Sequence, residues 1–274
     1  MDLNHAVELC FQVRPGWSDG PSAATHRINT NHCLRILGKD LDISTIKPST
    51  FTHLGKTIME EGRTAATANR VLQSLHTVLH ECHLEGELNS VPSYRRFKEP
   101  PSRREFYTKE QINELIEKAG EIEPLLQDAI VFLYLTGCRK SELLKLNWED
   151  VDLDTAFLTF RNTKNGTDHT IQMHDQLHKV LMKMSEKNSE GYVFPFGSRD
   201  TLNRRMNRLK KLCPFASNRA IHQIRHTTAT HLVEADVPIR AIQGLLNHSD
   251  IRTTTRYAKV TELAKQNAIS KLSL

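Results

Sequence analysis

Four short polar clusters of this 274-residue chain hold side chains that could do chemistry. In Thr136-Gly-Cys-Arg-Lys-Ser-Glu-Leu-Leu-Lys-Leu146, Arg139 stands directly before an amphipathic Ser141-Glu142-Leu-Leu start. In Ile221-His-Gln-Ile-Arg-His-Thr-Thr-Ala-Thr-His231, His222 and Arg225 are three apart and share a helix face, which sets a neutral hydrogen-bonding ring beside a permanent cation. His248 lies within Leu245-Leu-Asn-His-Ser-Asp250, and Tyr257 closes Thr253-Thr-Thr-Arg-Tyr257 nine residues later. Taken singly, each cluster also reads as a dipole partner at a helix end, a cap or core packing. His222, His226 and His231 could suggest a metal, but neither Cys nor carboxylate lies between them in sequence, so no metal site is expected.

The elements that must position these residues follow from periodicity. Helical spacing runs from about Ser22 to Glu87, with Ile28, Leu34 and Leu37 on one segment and Ala68, Val71, Leu72, Leu75, Val78 and Leu79 on another. Residues 89–104 carry three prolines and net basic charge without a period, the composition of an extended linker. The expected organisation is therefore a small helical domain over 1–88, a linker over 89–104 and a second domain over 105–274. In the second domain Thr108 and Gln111 have the spacing of a capping box, and Pro124 to Leu135 reads as a buried helix with Gly137 at its left-handed cap. Residues 156–161 and 167–173 read as strands on either side of Asn165-Gly166, a strong hairpin signal. Asp236-Val-Pro238 should cap and start a helix whose core face is Ile239, Ile242, Leu245 and Leu246. The fold class is mainly α, with one small antiparallel sheet in the second domain.

Composition narrows the setting. Thirty-seven Lys and Arg against 32 Asp and Glu give +5 overall. Between Arg199 and Arg225, eight basic residues face a single acid, a local +7 that could be either a solvated helix face or a footprint on phosphate. The longest apolar run, Ile130 to Leu135, is far short of the ~20 residues that cross a bilayer, and Met1-Asp-Leu-Asn-His does not open a secretory signal. No membrane partner is expected. Five cysteines without a CxxC pair suit reduced thiols inside a cell, in cytoplasm or nucleoid. No fixed-period repeat is present, which excludes solenoids.

Together, Arg139, Lys164 in the Thr-Lys-Asn-Gly hairpin, His222, Arg225, His248 and Tyr257 resemble, in order and spacing, the signature of the tyrosine recombinase (phage integrase) family. The resemblance covers about Arg104 to Ala258. Thr67-Ala-Asn-Arg-Val-Leu-Gln-Ser-Leu75 is more loosely similar to that family's core-DNA-binding domain. One departure stands at Asn247, where the family usually has Gly; Asn is the natural substitute in a left-handed cap.

The resemblance implies a site-specific DNA recombinase that breaks a phosphodiester by attack of Tyr257, forms a 3′-phosphotyrosyl link and releases a 5′-hydroxyl. Arg139 and Arg225 would stabilise the phosphorane, Lys164 would protonate the leaving oxygen, His222 would accept or relay the phenol proton, and His248 would donate to a phosphate oxygen. Glu142 would orient a neighbour. No cofactor or metal is expected, since these cations supply the charge. Arg63, Asn69, Arg70, Arg103, Arg104, Arg204 and Arg205 are the expected DNA contacts. Partners would be double-stranded attachment sites, a homotetramer on DNA formed from free monomers, and accessory bending or directionality proteins. The sequence pattern contains no separate N-terminal arm-binding module, which suits either a simple recombinase or a shortened chain. The stripe Val260, Leu263, Ala264, Asn267, Ala268 and Leu272 would form a tail helix that packs on a neighbouring protomer. A type IB topoisomerase and a helix-turn-helix regulator built on Pro238 to Tyr257 are the rival readings.

Overall fold

A computed structural model describes residues 1–20, 22–100, 105–163, 165–217, 219, 221–255 and 257. Lys164, Arg103, Arg104 and the tail stripe lie outside the described residues. The chain divides into two compact units, Met1–Ser102 and Arg103–Leu274.

The first unit is helical: α1 (Leu3–Val13), α2 (Ala23–Leu37), α3 (Pro48–Glu60) and α4 (Ala65–Leu84). Helix formation begins earlier than the periodicity suggests. Asp2 caps α1 through the His5 amide at 2.9 Å, and Leu3, Ala6, Val7, Cys10 and Phe11 are buried. Ala and Cys supply two of those five positions, and their small side chains hide the stripe from a search for large apolar residues. Ile28, expected in the core, is 59% exposed. Helix α2 instead buries Thr30 and Cys33, about 200° round the helix from Ile28 in the case of Thr30. The Thr30 hydroxyl meets this burial by donating to the His26 carbonyl at 3.0 Å. In α4 the expected stripe from Ala68 to Leu79 is buried throughout.

The proline-containing stretch after Leu88 has no regular structure up to residue 100, yet it is anchored to this unit. Tyr94 stacks on Phe51 at 4.7 Å, and the Phe97 ring fills the space where a side chain at Gly55 would stand. Asn69 completes the anchor. Its amide nitrogen donates to the Phe97 carbonyl at 2.9 Å and to Glu99 at 2.7 Å, while its oxygen accepts from the Phe97 amide at 2.9 Å. At 1% exposure with both ends engaged, Asn69 is unavailable to DNA, which corrects the expectation from sequence.

In the second unit, α5 (Lys109–Ile122) starts with the expected reciprocal cap between Thr108 and Gln111, at 3.2 and 3.1 Å. The apolar α6 (Pro124–Thr136) ends at Gly137, with φ 62 and ψ 17. A side chain there would be strained by the left-handed backbone and would force the Leu246 side chain to shift, since a Cβ would lie 2.5 Å from it. After α7 (Lys140–Lys145) come three antiparallel strands in sequence order: β1 (Val151–Asp152), β2 (Phe157–Phe160) and β3 (His169–Gln172). Leu158 faces Ile171 and Phe160 faces His169 in register. The strands stop short of the expected hairpin, so Asn165-Gly166 is the tip of an eight-residue loop, Arg161–Asp168. Its turn closes through the Gly166 amide on the Thr163 carbonyl at 2.8 Å.

Helices α8 (Asp175–Ser185), α9 (Arg199–Leu212), α10 (His222–Glu234), α11 (Ile239–Leu245) and α12 (Ile251–Thr255) complete the described part. Asp236 does not cap α11 as expected. It takes φ 56 and ends α10, where its own amide reaches the Val233 carbonyl at 3.1 Å and the Val237 amide reaches that of Leu232 at 3.0 Å. All five cysteines are buried thiols.

Candidate active site

The turn Leu246–His248 is the meeting point of the polar clusters. Asn247 adopts φ 47, which leaves the carbonyls after α11 free to accept side-chain donors. Arg225, on α10 and only 4% exposed, donates from Nη1 to the Gly137 carbonyl at 2.7 Å and from Nη2 to the Leu246 carbonyl. Arg139, at the start of α7, donates from Nη2 to the Asn247 carbonyl at 3.2 Å. Glu142 fixes Arg139 from the other side. It accepts from Arg139 Nη1 at 2.7 Å and from the Arg139 backbone amide at 2.6 Å, so one carboxylate caps α7 and orients the guanidinium. Burial and the neighbouring Arg139 bring Arg225 down to about 10, which leaves it charged at neutral pH.

Two histidines stand beside this pair. His222 shares a face of α10 with Arg225, and burial followed by Arg225 and Arg139 lowers its pKa. His248 is pushed down to about 4, by burial first and then by Arg225 and Arg139. Its Nδ1 lies 2.9 Å from the Thr254 hydroxyl, a pairing that leaves Nε2 as a donor when Thr254 supplies the proton. Both rings are neutral in the free protein at pH 7. The sign of the resulting pH dependence is fixed: the unfolded chain takes up the His248 proton near 6.5, and the folded chain only near 4. Stability from this group is fully present above 6.5 and is lost as pH falls towards 4. Denaturant titrations of the DNA-free protein at pH 7 and pH 5 should show this loss, and it should shrink in His248→Asn; equal slopes in the two proteins would remove His248 as the source.

Tyr257 is 9% exposed and packs with Ala229, Ile242 and Leu246. Its hydroxyl meets Nδ1 of His226 in a short hydrogen bond. The His226 ring in turn stands edge-on to His222, with centroids 4.7 Å apart. His226 is the side chain that reading the sequence did not place in the site. The available signal was its position, four residues after His222 on the same helix face. His231, the third histidine of that cluster, faces the Tyr134 hydroxyl at 2.9 Å. Lys164 lies outside the described residues, but Thr163 and Asn165 on either side of it both bond to Asn247, at 3.0 Å each.

The expected DNA contacts divide. Arg63, Arg70 and Arg204 are exposed. Arg205 is committed internally: it pairs with Glu123 at 2.9 Å and lies over the Phe196 ring at 4.9 Å. Arg219 likewise pairs with Glu105 at 3.1 Å and covers Tyr107. With Arg225 buried too, the +7 segment offers solvent less charge than its composition suggests. Two fixed guanidiniums, neutral imidazole donors and a phenol on a histidine make a site shaped to hold a tetrahedral or trigonal-bipyramidal oxyanion and attack it.

Known proteins resemble this chain in both sequence and fold. The model of the phage integrase family matches residues 105–263. Tyrosine recombinase XerA of Thermococcus kodakarensis is 29% identical over 267 residues, covering 93% of this chain and 92% of that protein. A tyrosine recombinase of Thermosipho africanus is 30% identical over 224 residues, 78% of this chain and 79% of its own length. Among solved structures, the Tn1549 transposon integrase in complex with a circular intermediate DNA superposes with a TM-score of 0.84 at 17% identity, with 100% of both chains covered. A lambda integrase dimer bound to a COC′ core site gives 0.79 at 20% identity, covering 94% of this chain and 77% of that one. No helix among the described residues is long and apolar enough to cross a membrane.

Proposed function

The chain belongs to the phage integrase family and is a site-specific DNA recombinase, and from that premise we propose that Tyr257 cuts and rejoins strands through a 3′-phosphotyrosyl intermediate. The Tyr257 oxygen attacks phosphorus, the bond from phosphorus to the 5′ oxygen breaks, and Lys164 gives that oxygen its proton. The phenol proton passes to His226, which holds the hydroxyl, with His222 edge-on behind it. Reading the sequence alone put His222 in this role. Arg139 and Arg225 take the charge that develops on the non-bridging oxygens, and His248 donates to one of them. A 5′-hydroxyl from another strand then attacks the phosphotyrosine and reverses each proton transfer. One phosphodiester replaces another, so the exchange needs no external energy source.

The observation that carries this reading is the attachment of both guanidiniums to the Leu246–His248 turn. The substrate is a double-stranded attachment site, gripped in part by the exposed Arg63, Arg70 and Arg204 and by the basic stretch of Arg103 and Arg104. The unit 105–274 is the catalytic domain and the preceding helical unit a clamp on the same DNA. Monomers assemble as a tetramer on two duplexes in the cytoplasm, at the nucleoid, with the tail after Tyr257 exchanged between neighbours and accessory bending proteins setting direction. The DNA belongs to a mobile element, as it does for the Tn1549 integrase.

Two duplexes that carry different end labels and the same attachment site test the reaction class. Recombination yields products with one label from each parent. Relaxation of supercoils without label exchange would make the enzyme a topoisomerase of similar chemistry, and the recombinase mechanism would fall.

A further inference from the structure

Asn247 has a conformation that glycine would satisfy at no cost, so its side chain needs a separate reason. The reason is on the page as a set of aligned hydrogen bonds. Asn247 Nδ2 donates to the Thr163 hydroxyl at 3.0 Å, and that hydroxyl donates onward to the Thr167 carbonyl at 2.8 Å. Asn247 Oδ1 accepts from Asn165 Nδ2 at 3.0 Å, and the Asn247 carbonyl accepts from the same nitrogen at 3.1 Å. One residue thus grips the β2–β3 loop on both sides of position 164. Just beyond the loop, at the start of β3, His169 Nε2 lies 3.0 Å from the Leu245 carbonyl, so loop and sheet both meet this segment.

An eight-residue loop needs such a hold. Arg161 fixes its base by pairs with Asp150 and Asp168, each at 2.8 Å, but these lie at the strand ends and do not reach the tip. The bonds from Asn247 do reach it, and they come from the turn whose neighbouring carbonyls already hold Arg139 and Arg225.

We propose that Asn247 is a positioning residue for the leaving-group acid: its side chain latches the residues flanking Lys164 to the turn that carries the two guanidiniums. The inference rests on the reading of Lys164 as that acid. It also assigns a purpose to a side chain that caps no helix.

Asn247→Gly is the direct test, because glycine keeps the left-handed turn and both backbone carbonyls while it removes the two side-chain bonds. Cleavage of a nicked suicide duplex should fall about ten- to thirtyfold, the scale expected for two hydrogen bonds lost from the reacting state. On a duplex with sulfur at the bridging 5′ position the variant should return to the parent rate, since a thiolate leaves without a proton. Lys164→Ala should be rescued in the same way, and Asn165→Ala, which leaves Asn247 in place, should show a smaller loss with the same rescue. Amide hydrogen exchange over 161–168 should quicken in Asn247→Gly, with α10 and α11 unchanged.

A parent-like rate on ordinary DNA overturns the proposal. So does a loss that sulfur does not restore while Lys164→Ala is restored, because Asn247 would then act through Arg139 or the fold, and the acid reading would stand. If Lys164→Ala itself is not rescued, the acid reading fails on its own account. Exchange over 161–168 then decides: unchanged protection in Asn247→Gly overturns the latch, and faster exchange leaves it in place.

Discussion

Tyr257→Phe forms no covalent adduct on a nicked suicide duplex and binds the same duplex with an affinity within about twofold of the parent, since the change leaves every phosphate-facing cation in place. It removes one oxygen and keeps the ring, which packs with Ala229, Ile242 and Leu246. The hydroxyl that is lost is the one held by His226. Denaturing gels of labelled DNA measure the adduct, and gel shifts measure the binding. The other tyrosines of the catalytic unit have positions that argue against attack. Tyr107 is buried, its phenol pushed up to about 12 by desolvation, and burial raises that of Tyr134 as well. Tyr192 is 57% exposed and therefore the sharpest control. An adduct that persists in Tyr257→Phe, or a peptide map that places the DNA on any of these three, would remove Tyr257 from the reaction.

Arg225→Gln should lose cleavage by at least about a hundredfold, and sulfur at the bridging position should restore none of it, because the missing element is charge on the non-bridging oxygens. The glutamine side chain ends two bonds short of the nitrogens with which Arg225 holds the Gly137 and Leu246 carbonyls. A buried carbonyl left without its donor costs about 1–3 kcal/mol in stability. Thermal unfolding therefore has to be measured beside kinetics, at a temperature where the variant is fully folded. A variant that cuts sulfur-bridged DNA at the parent rate would place Arg225 in the service of the leaving group instead. Near-parent cleavage of ordinary DNA would mean that its grip on the two carbonyls is its whole role.

The contrast between what could and could not be anticipated has a physical cause. The caps at Thr108 and Gly137 are local rules, written within four residues of sequence, and each has the anticipated geometry. The long stripe of α4 is similar, because six apolar residues at helical spacing leave one solution. Ile28 misled because α2 buries Thr30 and Cys33, and a threonine that bonds its own helix hides in a core without looking apolar. Asn69 misled for the converse reason. An exposed asparagine and one that fastens a distant coil have the same local sequence, and only the arrival of Phe97 tells them apart. Within the site, Arg139, Arg225, His222 and His248 were legible from their order and spacing. The contacts of His226 and Asn247 were not, since both join segments dozens of residues apart: His226 with Tyr257, and Asn247 with Thr163.

Arg225 takes the carbonyl of Leu246 and Arg139 takes that of Asn247, the very next one along the chain. Consecutive α-carbons of a trans peptide are 3.80 Å apart, a length that bond angles and resonance hold almost constant. The two anchor points are thus joined by a single peptide unit, although the cations themselves arrive on separate helices. A displacement of the turn as a body would carry both anchor points together. Under the proposed mechanism, the scissile phosphate would meet two guanidiniums tied to one short stretch of backbone.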